Sequence, residues 1–378
     1  MANTGRALTR LAPFVLGAVG VGILLLVAAS LIGSSGYGYD FEAYDLAARR
    51  IAVGEAIDGT NLLYPPGLAE AYNSGQYARL YLYPPPLAVA LIPLTALAPS
   101  QALLAWFVLR LVLLFAGVAL LPISALARGA LMAVAAISFP VWYDLNLGNI
   151  SIVLFALSAV IWRFRDGPIA PVVLAACGVI RYPFGLVLVP WVLQRRWRAI
   201  ALTLGAGVVI GLATLPFVGI QGWFDYLAAI RALGDVSAGE HNISLATTAT
   251  ALGIPGPEIL WVTLGIAVAF VAAAWSALRR DPETALVVAL TGTILFFPFF
   301  HPHYLVQLLI PAAFLAGRGQ WWGLALPLLG WLPGAGLAPV AIVATLAPLL
   351  PPGFLALRPA GAGLHGGAAE FGTGPTRP

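Results

Sequence analysis

Apolar runs broken by prolines, glycines and short arginine clusters follow one another from residue 11 to residue 357, leaving few polar stretches between them. They fall near 11–32, 85–98, 101–121, 129–143, 149–163, 168–193, 199–218, 258–278, 284–300, 304–316, 320–333 and 336–357. Such a run cannot leave backbone polar groups unpaired in hydrocarbon, and a helix pairs them within one segment. About 20 residues at about 1.5 Å each cross a core of about 30 Å, which the first run does without a small-residue cleavage site after it. Composition agrees, with 61% hydrophobic residues, 9% charged residues and a mean hydropathy of +0.93, outside the range of soluble domains. The expected fold is all-α, a polytopic transmembrane helical bundle of about 10–13 membrane segments with two long outward loops. Residues 1–357 read as one membrane domain and the Gly-rich 358–378 as a disordered tail.

Charge sets the expected orientation. Every basic residue is Arg, and the net charge of +4 fits loops at a membrane surface rather than a nucleic-acid partner. Arg6 and Arg10 precede the first run, and the clusters Arg163-Phe-Arg165, Arg195-Arg-Trp-Arg198 and Arg279-Arg280 follow later ones; all are expected to be cytoplasmic. The loop after the first run then faces outward, as does 219–257. Placing both 163–165 and 195–198 in the cytoplasm makes 168–193 a hairpin turning at Arg181-Tyr-Pro and requires proline-rich 85–98 to dip in and return. The single Cys177 excludes an intramolecular disulfide.

The first outer loop opens with Asp40 and Asp45, two of only 15 acids in the chain. A carboxylate at the edge of hydrocarbon is costly unless it meets water, a partner or a substrate. Phe41, Tyr44, Ala48 and Ile51 recur at helical spacing, as in an amphipathic helix on a membrane surface. Asp40 then stands either as that helix's N-cap or as a functional base, and Asp45 either pairs with Arg49 or faces substrate. Arg181, between two apolar half-spans, needs an anion: a substrate phosphate or an acid such as Asp144. Arg110 lies inside an apolar span and either pairs internally or contacts phosphate. Asp144, Asn146 and Asn149 form a polar cluster at a helix junction, and His241-Asn242 lies in the second outer loop. His301 and His303 open a helix after a Phe-rich run; with no carboxylate beside them they supply only two ligands, so no metal site is assigned, and divalent-metal dependence is left open.

Five blocks carry a resemblance: Asp40-Phe-Glu-Ala-Tyr-Asp-Leu-Ala-Ala; Tyr81-Leu-Tyr-Pro-Pro-Pro-Leu-Ala with Ile92-Pro-Leu; Leu147-Gly-Asn-Ile-Ser-Ile-Val-Leu; Val179-Ile-Arg-Tyr-Pro-Phe ahead of Arg195-Arg-Trp-Arg; and Phe297-Pro-Phe-Phe-His-Pro-His-Tyr-Leu. In order and spacing they resemble the polyprenol-phosphate-sugar-dependent membrane glycosyltransferases of the GT-C class, of the glycosyltransferase 87 type that includes mycobacterial mannosyl- and arabinofuranosyltransferases. The resemblance implies that Asp40 is a general base acting on an acceptor hydroxyl and that an outer-segment histidine matches His303. The chain departs from the family's pattern at Arg181-Tyr-Pro, where Lys-Pro is common, and around His301, where Ser-Pro and Trp are common.

The residues assigned to catalysis are Asp40 and His303; those assigned to substrate are Tyr44, Asp45, Tyr83, Asn149, Arg181, His241, Asn242 and His301. The expected activity is transfer of a hexose, with mannose first, from a polyprenyl-phosphate donor to a lipid or glycan acceptor at the outer face of a prokaryotic plasma membrane. Membrane lipids are the other expected partners, and no cofactor is assigned. A transporter or lipid flippase is the chief alternative; arabinofuranosyl or other pentosyl transfer from a polyprenyl-phosphate donor and a structural assembly subunit are the others. A transporter should gather its polar residues in repeated spans, whereas here they cluster at one face.

Overall fold

The computed structural model describes residues 2–34, 36–55, 64, 81–234, 244–279, 281–296 and 301–351. The expected tail, 358–378, lies outside them. The described chain runs through α1 (Ala2–Leu31), α2 (Tyr39–Ala52), α3 (Pro85–Leu91), α4 (Pro99–Leu120), α5 (Ala125–Ala136), α6 (Phe139–Leu147), α7 (Ser151–Arg163), α8 (Ile169–Ile180), α9 (Leu188–Leu193), α10 (Trp197–Val218), α11 (Gln221–Gly234), α12 (Leu245–Ala251), α13 (Glu258–Arg279), α14 (Pro282–Gly292), α15 (Leu309–Gly317) and α16 (Leu337–Leu346). Short 3-10 turns join several of them, and no strand occurs among the described residues.

The protein is an all-α polytopic membrane protein. Stretches of α1, α4, α10 and α13 are long and apolar enough to cross a membrane alone, and α5 with α6, bent by 61°, makes a fifth candidate. Seven further apolar segments are shorter, at 10–17 residues. Proline accounts for much of this shortening: it lacks an N–H and clashes with the preceding turn, so helices start at it or stop before it. Pro85 and Pro86 open α3, Pro99 opens α4, Pro140 stands at the bend into α6, and Pro183 follows the end of α8. On the long helices, Phe14, Leu26, Val112, Val208, Val209, Leu212, Ile259 and Val271 are exposed, which suits contact with acyl chains.

Two hairpins organise the interior. In the first, α8 runs out to Arg181 and a 3-10 turn with α9 runs back; Arg196 reaches Asp166 at 3.7 Å and the Arg165 carbonyl, so both ends of the hairpin meet. This is the hairpin expected for 168–193. In the second, α14 runs out and a 3-10 turn, Pro302–Leu308, with α15 runs back; Arg318 closes the base on Asp281 at 3.1 Å and Glu283 at 3.4 Å. Arg165 joins the two bases through Glu283 at 3.5 Å. Segment 85–97 is too short to cross and packs along α2, whose Arg49 donates to the carbonyls of Thr95 and Leu97.

Small residues let α1 cross α5 closely. A Cβ on Gly20 would lie 2.8 Å from the Ala133 nitrogen, and one on Gly129 would collide with the Pro13 carbonyl, whereas one on Gly17 would meet nothing. Gly129→Leu is therefore expected to lower the thermal midpoint in detergent by several degrees, and Gly17→Leu to leave it unchanged, as read by intrinsic tryptophan fluorescence.

Candidate active site

The site is built where the start of α2 meets the bend after α6. Gly38 precedes α2 at φ 81° and Gly148 ends α6 at φ 79°, both in the left-handed region that favours glycine. The Gly38 N–H donates to the Asn146 carbonyl at 2.7 Å, and Ser34 Oγ donates to Asn146 Oδ1 at 2.8 Å. A Cβ on Gly148 would stand 2.8 Å from the Cβ of Phe41, so a side chain here would push the two elements apart. Phe41 stacks on Trp106 of α4 at 5.8 Å, and the Trp106 indole donates to the Gly148 carbonyl at 2.8 Å.

Two expectations for α2 are corrected. Its cap is Gly38, without a side-chain bond, and Asp40 lies inside the first turn. Its apolar face does not lie on lipid: Phe41, Tyr44, Ala48 and Ile51 are buried in the protein, because α3 and α4 offer an aromatic and aliphatic surface to it.

Freed from capping, Asp40 is half-buried and accepts a hydrogen bond from Asn149 Nδ2 at 2.7 Å on Oδ2. The same amide faces the hydroxyls of Tyr44 and Tyr83, each at 3.3 Å. Burial pushes the Asp40 carboxyl up to about 6, against the Asn149 hydrogen bond and the positive charges of Arg110 and Arg181, which act the other way.

The two arginines have different surroundings. Arg110 pairs with Asp144 at 3.3 Å, both side chains wholly buried, and donates to the carbonyls of Asp144 at 2.7 Å and Leu145 at 3.1 Å. Asp144, the acid considered for Arg181, is thus taken by Arg110. Arg181, at the tip of the first hairpin, is 8% exposed; its guanidinium lies 3.7 Å from the centre of the Tyr304 ring and 5.9 Å from that of Tyr83. With Ser151, Phe184, Thr293, Tyr304 and Gln307 it lines a small cleft.

His303, at the tip of the second hairpin, comes to the same place. It is 4% exposed, packs edge-on against Tyr304 at 4.5 Å and tilts on Tyr143 at 5.9 Å. Tyr143 in turn lies within electrostatic reach of Asp40. Both ring nitrogens of His303 are buried without a hydrogen-bond partner among the described residues. His301 stacks parallel to it at 5.5 Å but is more exposed.

The fold therefore gathers Asp40, Tyr44, Tyr83, Asn149, Arg181, His301 and His303 around Tyr143 and Tyr304. Asp45 is left out: it pairs with Arg49 at 2.8 Å, the helical i, i+4 pairing. His241 and Asn242 lie outside the described residues. Among the described residues no group of three or more His, Cys, Asp or Glu side chains could hold a metal ion.

A family model, Glycosyltransferase family 87, matches residues 81–302, more than half of the chain. The chain belongs to glycosyltransferase family 87. It is a membrane glycosyltransferase, with a sugar donor and an acceptor as its substrates. The matched stretch holds Tyr83, Asn149, Arg181 and His301, while His303 lies one residue past its end and Asp40 lies well before its start at residue 81. Neither a curated protein nor a solved structure matches the chain.

Sequence reasoning missed Tyr143 and Tyr304, the rings on which the tips meet, although Tyr304 directly follows the assigned His303. It left Arg110 between two roles, and the structure gives it the internal pair. Removing one partner of a buried pair strands the other charge, at about 3–5 kcal/mol. Arg110→Met is expected to destabilise the family 87 protein by about that amount, and the double variant Arg110→Met/Asp144→Leu to recover most of the loss; thermal unfolding of both in one detergent measures it.

Proposed function

We propose that this family 87 enzyme transfers a hexose, with mannose as the expected sugar, from a polyprenyl-phosphate donor to a lipid or glycan acceptor, with Asp40 as general base. Asp40 takes the proton of the acceptor hydroxyl as that oxygen bonds to the anomeric carbon. The bond from that carbon to the phosphate oxygen breaks, and polyprenyl phosphate leaves with the electron pair. The observation that carries this is a half-buried carboxylate, held by Asn149, in the same cluster as a buried arginine and a buried histidine. A general base is most effective when its pKa lies near the working pH, and burial pushes Asp40 up to about 6.

Arg181 is the group we assign to the leaving phosphate, whose growing charge a fixed cation in a water-poor cleft stabilises strongly. His303 is assigned a hydrogen bond to the phosphate or to a sugar hydroxyl, in keeping with its two unpartnered ring nitrogens. A transporter or flippase would need only binding at these positions and no proton acceptor. We place the enzyme in a prokaryotic plasma membrane with a cytoplasmic N-terminus and an outward-facing site, an orientation that the arginine clusters support. Arg165, Arg196 and Arg318 support it by closing the hairpin bases, away from the tips that carry Arg181 and His303.

Asp40→Asn keeps the size and removes the base. Transfer from labelled polyprenyl-phosphate-mannose to endogenous membrane acceptors is expected to fall by about 10²–10⁴-fold, with the variant still monodisperse in detergent. Undiminished transfer by Asp40→Asn would move the base elsewhere. Because Asp40 must be ionised to act, kcat/KM of the wild type is expected to fall as pH drops through about 6, tenfold per further pH unit; a flat acid limb would exclude Asp40 as base. Arg181→Gln is expected to raise the KM for the donor and lower kcat, and Arg181→Lys to restore part of both.

A further inference from the structure

Asn149 was assigned to substrate from the sequence, yet its amide is committed on both sides within the protein. It is 3% exposed, and its Oδ1 accepts from the Ser151 N–H at 3.1 Å and from Ser151 Oγ at 2.9 Å. The backbone N–H can only donate, so the oxygen of the amide must face Ser151 and the nitrogen must face Asp40. The turn that carries it is fixed from three sides. Asp144 Oδ2 accepts from the same Ser151 N–H at 3.1 Å, Arg110 clamps Asp144, and Trp106 holds the Gly148 carbonyl. Asp40 Oδ2 takes the Asn149 hydrogen bond, and among the described residues its Oδ1 takes none.

We infer that Asn149 is a positioning residue for the reaction: it holds Oδ2 of Asp40 so that Oδ1 is presented to the acceptor hydroxyl. The inference rests on the assignment of Asp40 as base. Without the amide, Asp40 would turn about its own side-chain bond toward the phenols of Tyr44 and Tyr83. A hydrogen bond to the charged form of a carboxylate favours that form. The other groups facing Asp40 are Arg110 from α4, Tyr143 and Asp144 from α6, Tyr44 from α2 itself, Tyr83 before α3, and Arg181 from the first hairpin. Arg110 and Arg181 remain in an Asn149 variant and hold the shift within bounds.

The test is the pH profile of kcat/KM for sugar transfer by the full-length enzyme in detergent, using wild type, Asn149→Ala, Asn149→Asp and Asp40→Asn. The expected result is that the acid limb of Asn149→Ala moves about one pH unit to the alkaline side, with activity recovering toward wild type at high pH. Asn149→Asp is isosteric, keeps the acceptor for Ser151 and sets a second carboxylate against Asp40, so its limb moves further. Should Asn149→Ala fail to give monodisperse protein, Asn149→Leu, which removes the amide at similar size without adding a charge, carries the test. An acid limb that stays in place in the folded variants, with activity lowered evenly at every pH, overturns the inference while leaving Asp40 as base. Activity retained by Asp40→Asn overturns the base assignment itself, and the inference with it.

Discussion

The buried pair of Arg110 and Asp144 is the contact on which the rest of the site depends. Two charges with no exposure repay their desolvation only with the help of further hydrogen bonds, and this pair has several, although the Arg110 Nε has no partner among the described residues. Here Arg110 reaches two backbone carbonyls as well as the carboxylate, and Asp144 reaches the Ser151 N–H. The pair thereby fixes the turn between α6 and α7, which carries Asn149, and through Asn149 it fixes Asp40. Hydrophobic replacements could be as stable, but they would not define where a carboxylate 109 residues away from Asn149 must sit.

Position along the helices bears on why so many groups of this polar cluster are paired within the protein. Helix α7 has 13 residues between Ser151 at the site and Arg163 near the ion-paired hairpin bases, a rise of about 20 Å. The hydrocarbon core measures about 30 Å. In the proposed orientation, with the arginines at the cytoplasmic interface, this rise sets the cluster around Asn149 and Arg181 within the thickness of the apolar core, where an unpaired polar group costs several kcal/mol. The two hairpins serve this geometry. A full-length helix would carry its end past the site, whereas Pro183 and Pro302 help to end the outward halves short and leave Arg181 and His303 at the tips.

Much of this was legible in the sequence, for a physical reason. Apolar runs and prolines act locally, so the helical class, the breaks and the hairpin at Arg181 could be placed from residue order alone. Asp40, Asn149, Arg181 and His303 stood out because polar groups are costly in such surroundings. Pairing between distant residues is not local, and there the sequence failed: nothing in residue order says that Asp144 meets Arg110 rather than Arg181. The same holds for α2, whose apolar face suits a lipid surface or a protein surface equally well. Its choice is made by Trp106 and by the glycines at 38 and 148, which let the elements approach.

The division between the two arginines bears on how a base and a phosphate site can coexist. In the proposed reaction, Arg181 must remain cationic and available while Asp40 remains able to take a proton. A cation paired directly with Asp40 would hold its carboxyl low and make it a poor base. Arg110 is paired with Asp144 and is hydrogen-bonded to it rather than to Asp40. Arg181 lies against the face of Tyr304, which attracts a cation through its π-electrons without neutralising it. With its carboxyl at about 6, Asp40 is ionised at neutral pH yet basic enough to accept a proton as the new bond forms. In the proposed reaction the Tyr304 face is a contact that leaves the guanidinium its charge, while Asp144, the acid the sequence offered to Arg181, is hydrogen-bonded to Arg110.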